Sequence, residues 1–290
     1  MLSQLKLVQP TTVHEASTAL ADFGEKAKIY AGGAELLLLL RHKLVEVEVL
    51  VDIKKIGDLN RLSADEKGIR IGACMTHQAL ANDLVVRRHA PSFAEAESQV
   101  ANARVRNQGT LGGNLCFNDP HSDPGTVLLV HNASVKVANY KGERQLPLDE
   151  FFQDMYATAL RPNEILSEVQ VPPLPEGMTS AYLRLHRYQR PTLGVAAALA
   201  MADGSIAACR LAVGCAGPRP LRLHDLERQL NGAAIADALN IVKAQKDFLR
   251  GLLRPVDDLL GSADYKLYMT GVMLAQALQT AAQGNSNGIS

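Results

Sequence analysis

Between Gln108 and Asp123 the chain runs Gln-Gly-Thr-Leu-Gly-Gly-Asn-Leu and then, past Cys116-Phe117-Asn118, Asp-Pro-His-Ser-Asp. Glycine has no Cβ to hold a neighbour away and tolerates positive φ, so a stretch this rich in it can turn its main-chain N–H groups toward a ligand. Thr110 and Asn114 add short polar side chains within the same few residues. Such a loop can hold an anion through backbone donors alone, as a nest does. A second glycine pair, in Ala31-Gly32-Gly33-Ala34-Glu35, stands far upstream and directly before the apolar run Leu36 to Leu40. Two backbone-rich loops from distant stretches of one chain predict a long, doubly charged ligand held from both sides.

Each loop has a place in the predicted order of elements. His14 to Phe23 suits a short amphipathic helix ending at Gly24. Lys28 to Ala31 reads as a strand running into Gly32-Gly33, residues 35–43 as a helix and residues 46–53 as a strand. In this β–loop–α–β unit the glycine pair falls where a helix N-terminus presents free amides and the positive end of its dipole. Taken alone, Gly32-Gly33 reads first as a tight turn. Residues 62–73 read as a hairpin around a polar turn, and residues 76–105 as helical, broken near Pro91. The glycine-rich stretch follows as a loop, then short apolar runs at 126–130 and 133–137, a turn at Lys141-Gly142, and a strand at 165–171.

The cluster Pro172-Pro173-Leu174-Pro175 is the strongest boundary signal in the chain. It divides a first unit, residues 1–175, from a second unit, residues 176–290. Beyond the boundary, strands are expected at 180–187, 195–201 and 205–214, with a turn at Asp203-Gly204. Helices are expected at 223–230, 233–249 and 265–282, before a frayed tail. The second unit is therefore a small antiparallel sheet with helices on it, and the whole chain is α+β.

Function classes fall away on composition and spacing. With 30 Lys+Arg against 30 Asp+Glu, no global field recruits nucleic acid or an anionic membrane. Cys74, Cys116, Cys209 and Cys215 fit neither zinc-ribbon nor iron–sulfur spacing and read as buried reduced thiols. No window supplies a membrane span and the N-terminus has no signal-peptide core, so a soluble, cytoplasmic protein is expected. There is no phosphate-binding G-x-x-x-x-G-K-[ST] motif, no G-x-G-x-x-G after a strand and no nucleophile elbow. His77 near Cys74, and His121 between Asp119 and Asp123, are the suggestive histidines; a solvated loop residue is the plainer account of His121. Asp119 is explained by an Asx turn beside Pro120, which leaves Asp123 as the candidate for a ligand hydroxyl. Phosphate cradles without a nucleophile or a metal site favour a cofactor-carrying module.

The segments Ala31-Gly32-Gly33-Ala34-Glu35-Leu36 and Thr110-Leu111-Gly112-Gly113-Asn114, with Asp119-Pro120-His121-Ser122-Asp123, closely resemble the FAD-binding medium subunits of the molybdenum hydroxylases, the family of the xanthine and carbon monoxide dehydrogenases. The resemblance runs the whole length. Leu260-Gly261-Ser262-Ala263-Asp264-Tyr265-Lys266 is similar to the family's R-G-S-A-x-Y-R element, with Leu260 in place of the usual Arg. By itself Gly-Ser-Ala is a helix start with Ser262 as N-cap.

This resemblance implies a two-part FAD-binding fold of the vanillyl-alcohol-oxidase type followed by a smaller α+β domain of antiparallel sheet plus helices. It implies that loops 31–36 and 110–114 clasp the FAD diphosphate, that Asp123 lies near ribose or ribityl hydroxyls, that Leu166 is an apolar flavin contact, and that Arg184 is a cation near the isoalloxazine edge. Glu35 would turn its carboxylate away and serve through its amide. No catalytic residue and no metal ligand is expected on this chain. The molybdenum cofactor would sit on a large partner subunit and [2Fe–2S] clusters on a small one, in a dimer of heterotrimers. Electrons would pass from those clusters through FAD to an external acceptor. Two departures stand out: Ala34 replaces a side chain able to reach phosphate, and Arg190 replaces an aromatic residue before Pro191-Thr192. The competing reading is a free-standing flavin-dependent oxidoreductase with its own substrate.

Overall fold

The run Val49-Leu50-Val51-Asp52 is β3, the middle strand of the first sheet. In the computed structural model, which describes residues 5–186 and 190–287, this sheet is parallel, in the order β1 (Lys6–Val8), β3 (Val49–Asp52), β2 (Ala27–Tyr30). All of β3 is buried, as a central parallel strand requires. Helix α1 (Val13–Phe23) joins β1 to β2. Thr12 caps it by accepting the Glu15 amide at 3.1 Å, and Gly24 ends it. Helix α2 (Leu36–Arg41) joins β2 to β3. The expected β–loop–α–β unit is present. β1 is an addition, since three residues are too few to show a period.

The second sheet is antiparallel, in the order β4 (Leu62–Asp65), β5 (Gly68–Gly72), β10 (Ile165–Val171), β6 (Ser134–Asn139), β7 (Gly142–Pro147). The hairpin at 62–73 and the strand at 165–171 stand where expected. Between β5 and β6 the chain is helical, but in shorter pieces than the pattern predicts: α3 (His77–Asn82), α4 (Leu84–His89), α5 (Pro91–Gln99) and α6 (Ala103–Gln108). Short polar residues break it. Thr76, Asp83 and Asn102 each accept an amide of the turn that follows.

One expectation is corrected in the next stretch, and one open reading is decided. The glycine-rich segment is a helix start rather than a loop: α7 spans Leu111–Phe117, with the Thr110 hydroxyl accepting the Gly113 amide at 3.1 Å. The apolar run at 126–130 lies in helix α8 (Pro124–Val130), all seven residues of which are buried. A helix apolar on every side has no amphipathic stripe by which to be told from a buried strand. Helix α9 (Leu148–Phe151) and a ribbon of β8 (Phe152–Asp154) and β9 (Ala157–Thr158) precede β10.

The third sheet is an antiparallel meander of β11 (Met178–His186), β12 (Pro191–Ala202), β13 (Ser205–Gly214) and β14 (Leu221–Arg222). The expected strand 180–187 begins two residues earlier, and Arg187 lies outside the described residues. Helices α10 (His224–Leu230), α11 (Ile235–Lys243), α12 (Lys246–Leu253) and α13 (Ala263–Asn287) follow. The single helix expected at 233–249 is two, α11 and α12. Ser262 caps α13 as expected, accepting the Tyr265 amide at 3.2 Å, and the helix takes in some of the tail expected to fray. No helix among the described residues is long and apolar enough to cross a membrane.

Helix α8 ties the second and third sheets together. Val127 to Val130 share one core with Val135 and Val169 of the second sheet and with Ala196, Ala198 and Ala212 of the third. A buried ion pair closes the same seam. Arg222 is paired with Glu227 and donates to Leu129 O at 3.0 Å and to Asn132 Oδ1 at 2.7 Å, while Glu227 Oε1 accepts the Leu211 amide at 2.7 Å. Removing one member of such a pair strands the other charge. Glu227→Ala is expected to cost about 3–5 kcal/mol, seen as a lower urea midpoint at unchanged slope.

Candidate cofactor site

Strand β2 runs into Ala31-Gly32-Gly33, and α6 runs into Gly109-Thr110. The two turns meet main chain to main chain. A Cβ on Gly32 would stand 2.1 Å from Gln108 O, and one on Gly112 would stand 2.7 Å from Ala73 O. Only residues without side chains permit this approach. Gly33, at φ +76°, then turns the chain into α2. The result is a cleft of about 520 Å³, within the range of cofactor sites. Ala31, Gly32, Gly33, Ala34, Glu35 and Leu36 line one wall; Thr110, Gly112, Gly113, Asn114, Asp123 and Leu166 also face it.

For two expected residues the reading of direct contact is revised. Leu111 is fully buried in the core beneath the turn. Arg184 does not line the cleft. It stands behind Asp123, 5% exposed at the side chain, with Nε 3.0 Å from Asp123 Oδ1 and Nη1 donating to Gln99 O at 2.9 Å. A buried guanidinium is drawn to carboxylate and carbonyl partners, and those lie in the wall itself.

The two loops differ in the donors they offer. Leu111 N donates to Met75 O at 3.0 Å, Gly112 N to Ala73 O at 2.9 Å, Gly113 N to the Thr110 hydroxyl, and Asn114 N to Thr110 O at 2.9 Å. The 111–114 amides are thus consumed by the fold, and the expected nest there is corrected. Among the described residues, the amides of Gly32, Gly33, Ala34, Glu35 and Leu36 have no acceptor in the protein. These are the orphan donors of a helix start, where negative charge is favoured. Across from them Gly113 offers a bare surface, on which a Cβ would meet only the Thr110 hydroxyl, at 2.9 Å. Free amides on one side and a missing side chain on the other fit the diphosphate of a dinucleotide.

Asp123 is buried, and its Oδ1 accepts the Tyr182 hydroxyl at 2.5 Å as well as facing Arg184. Burial pushes its carboxyl up to about 6, against the opposing pull of Arg184 and the Tyr182 hydrogen bond. Asp119 makes the expected Asx turn, accepting the His121 amide at 2.8 Å, and its other oxygen meets Arg190 at 3.1 Å. Glu35 does not turn away as expected. It lines the cleft, half-buried, and burial raises its carboxyl while Arg190 pulls it down. Arg190 thus stands at the cleft between Asp119 and Glu35.

His121 also lines the cleft. Its Nδ1 lies 2.9 Å from Pro191 O and its Nε2 3.6 Å from Asp258, which is held by the buried Lys266 at 2.5 Å. Cys116 and Phe117, on α7, are lining residues that the sequence reading does not single out. Burial pushes the Cys116 thiol up to about 12, which leaves it protonated and unreactive at neutral pH.

Residues 3–174 match the family model of the FAD binding domain in molybdopterin dehydrogenase, and residues 182–281 that of the CO dehydrogenase flavoprotein C-terminal domain. The chain is 31% identical over 274 residues to the carbon monoxide dehydrogenase medium chain of Hydrogenophaga pseudoflava, covering 94% of this chain and 95% of that one. It is 31% identical over 265 residues to the nicotine 6-hydroxylase medium subunit of Paenarthrobacter nicotinovorans, covering 91% and 93%. Its fold superposes on a chain of the solved carbon monoxide dehydrogenase of Hydrogenophaga pseudoflava with a TM-score of 0.91 at 32% identity, over 97% of this chain and 98% of that one. The chain therefore belongs to the FAD-binding flavoprotein subunits of the molybdenum hydroxylases. It is an oxidoreductase subunit whose cofactor is FAD, on a two-part FAD-binding fold followed by an α+β flavoprotein domain.

Two substitutions of neighbouring glycines separate fold from binding. Gly112→Val drives side-chain atoms into Ala73 and is expected to lower the melting temperature. Gly113→Val meets only the Thr110 hydroxyl and pushes its methyls into the cleft, and is expected to keep the fold while weakening FAD about tenfold or more by crowding the second wall, overpacking costing about 1–3 kcal/mol; flavin fluorescence quenching measures it. Retention of FAD at wild-type affinity in Gly113→Val would count against the second wall. The raised Asp123 carboxyl gives a pH signature in the apo chain. The unfolded carboxyl titrates near 4 and the folded one near 6. The group's stabilising contribution is therefore complete below about 4 and falls as pH rises to about 6. Urea midpoints of wild type and Asp123→Asn are expected to diverge across that window, the wild type losing ground as pH rises.

Proposed function

We propose that this chain is the electron-transferring subunit of a molybdenum hydroxylase, standing between the iron–sulfur clusters of a small partner subunit and an external acceptor. The carrying observation is the cleft: five amides without acceptors face a bare glycine surface, in a chain with no nucleophile placed among them. FAD, when bound, supplies the redox chemistry, which no side chain lining the cleft could provide. The work of the protein is to hold and bias it. The amides of residues 32–36 receive the diphosphate, each hydrogen bond to the charged group worth about 1.5–3 kcal/mol. The Thr110 and Asn114 side chains and the surface of Gly113 close the other side. Asp123 keeps Oδ2 for a ribityl or ribose hydroxyl while Tyr182 and Arg184 occupy Oδ1. Leu166 presents an apolar contact, and Arg184 biases the site through Asp123 rather than by touching the cofactor.

The relatives are described as medium chains or subunits, which supports a large molybdenum-cofactor subunit and a small [2Fe–2S] subunit as partners, assembled as a cytoplasmic dimer of heterotrimers. The cysteines of this chain support the same division, since Cys74 and Cys209 lie in separate cores and cannot share a cluster. Residues 1–175 act as the FAD-binding unit, in pieces 1–57 and 58–175, and 176–290 as the C-terminal unit. This division is supported by the first two sheets lying within 6–171 and the third within 178–222.

Affinity purification of the chain from its native host tests this. A flavin spectrum with co-purifying molybdenum and iron–sulfur subunits is the expected result. A chain that purifies alone and oxidises an organic substrate unaided would overturn the subunit role.

A further inference from the structure

Behind Gly109 lies a pair of side chains that the cofactor contacts above do not use. His77 is the first residue of α3 and Glu97 lies near the end of α5, with side chains 3% and 0% exposed. His77 Nδ1 stands 2.5 Å from Glu97 Oε2. Glu97 Oε1 is sealed from solvent and has no hydrogen-bond partner, so the imidazole is the one hydrogen-bonding partner this buried carboxylate has among the described residues. Stability alone does not favour such a pair, because apolar side chains of similar volume would fill the same space at no loss.

What the pair does accomplish is orientation. A carboxylate on one ring nitrogen fixes tautomer and ring plane and sharpens the other nitrogen as a ligand contact, as it does for metal-bound histidines. Nε2 makes no hydrogen bond within the described residues, although His77 lines the cleft. It opens beside Gly109, where a Cβ would stand 3.4 Å from it, one residue before Thr110. The backbone holds the same register, His77 N donating to Gly109 O at 3.2 Å.

Resting on the FAD assignment above, we propose that His77, oriented by Glu97, donates from Nε2 to an anionic oxygen of the bound dinucleotide at the Gly109–Thr110 edge of the cleft. With both ring nitrogens protonated, the imidazolium lies between the Glu97 carboxylate and a phosphate oxygen. A cation is thereby delivered to a wall whose 111–114 amides are taken up by the fold. Glu97 is the positioning residue and His77 the contact.

The full-length chain, stripped of FAD, is titrated with FAD by fluorescence quenching and with ADP by competition, ADP carrying the diphosphate without the flavin. His77→Leu is expected to weaken both about tenfold or more, and His77→Gln, which retains an N–H donor, to recover some of the loss. Because His77→Leu strands Glu97, the deciding variant is the double His77→Leu/Glu97→Leu. It replaces the pair with apolar groups and is expected to melt no lower than wild type, yet to bind FAD and ADP as weakly as His77→Leu. A double variant with wild-type affinity overturns the proposal, as does weakened FAD with unchanged ADP. Glu97→Gln is expected to remove the downfield imidazole N–H resonance of the short hydrogen bond and to weaken FAD less than His77→Leu does; no change in either rejects the positioning role. A wild-type chain that takes up no FAD is a separate result, and it overturns the FAD assignment itself.

Discussion

Contact of bare main chain with main chain, at Gly32 against Gln108 and at Gly112 against Ala73, is the constraint on which the rest of the cleft depends. The first contact brings the end of a parallel sheet against a helix grown from an antiparallel one, the second seats α7 on the end of β5, and neither leaves room for a side chain in between. A methyl group at either position would push the walls apart by more than an ångström and carry every polar group in them out of register. The cost of such a contact is paid in conformational entropy at each glycine, roughly 0.5–1 kcal/mol relative to alanine. Burial of the surrounding cores offsets it. The cofactor site is thus a by-product of how three sheets are sewn together.

Charge is distributed around the cleft according to burial. Asp123, Arg184 and Tyr182 form a compact group in the wall, in which desolvation opposes ionisation and the guanidinium favours it. At the mouth, Arg190 and Asp119 face each other with far more exposure, 55% and 12% at the side chain, so their attraction is screened and weak. Groups deep in the wall therefore set the local field, and those at the rim are free to rearrange. Arg190 places a largely exposed cation at this rim, paired with Asp119 and acting on Glu35.

Much of this was legible in the residues. Gly24, the turn at Asp203-Gly204 and the Ser262 cap act locally, through a side chain to backbone bond or a positive φ, and local signals survive in a sequence. The two glycine loops and Asp123 were legible as a constellation and do meet at one cleft. What could not be read is whatever depends on partners distant in the chain. Nothing near Leu111 and Gly112 says that their amides are taken by Met75 and Ala73. Arg184 reads as a cation free to reach a ligand until Asp123 and Gln99 are seen to hold it. Glu97 carries no motif at all. Its place beside His77 follows from the packing of α5 on α3.

Helix α8 has a consequence for how the chain comes into being. Its seven residues are buried from all sides, and the alanines of β12 and β13 that cover one of those sides lie far toward the C-terminus. During synthesis, N-terminal elements emerge and collapse first. The cofactor-bearing half therefore leaves the ribosome with an apolar helix uncovered, and gains its lid of alanines only when the meander has been made. Until then the nascent protein is adhesive in a way the finished one is not, and a shortened chain that stops at the proline cluster would stay so permanently.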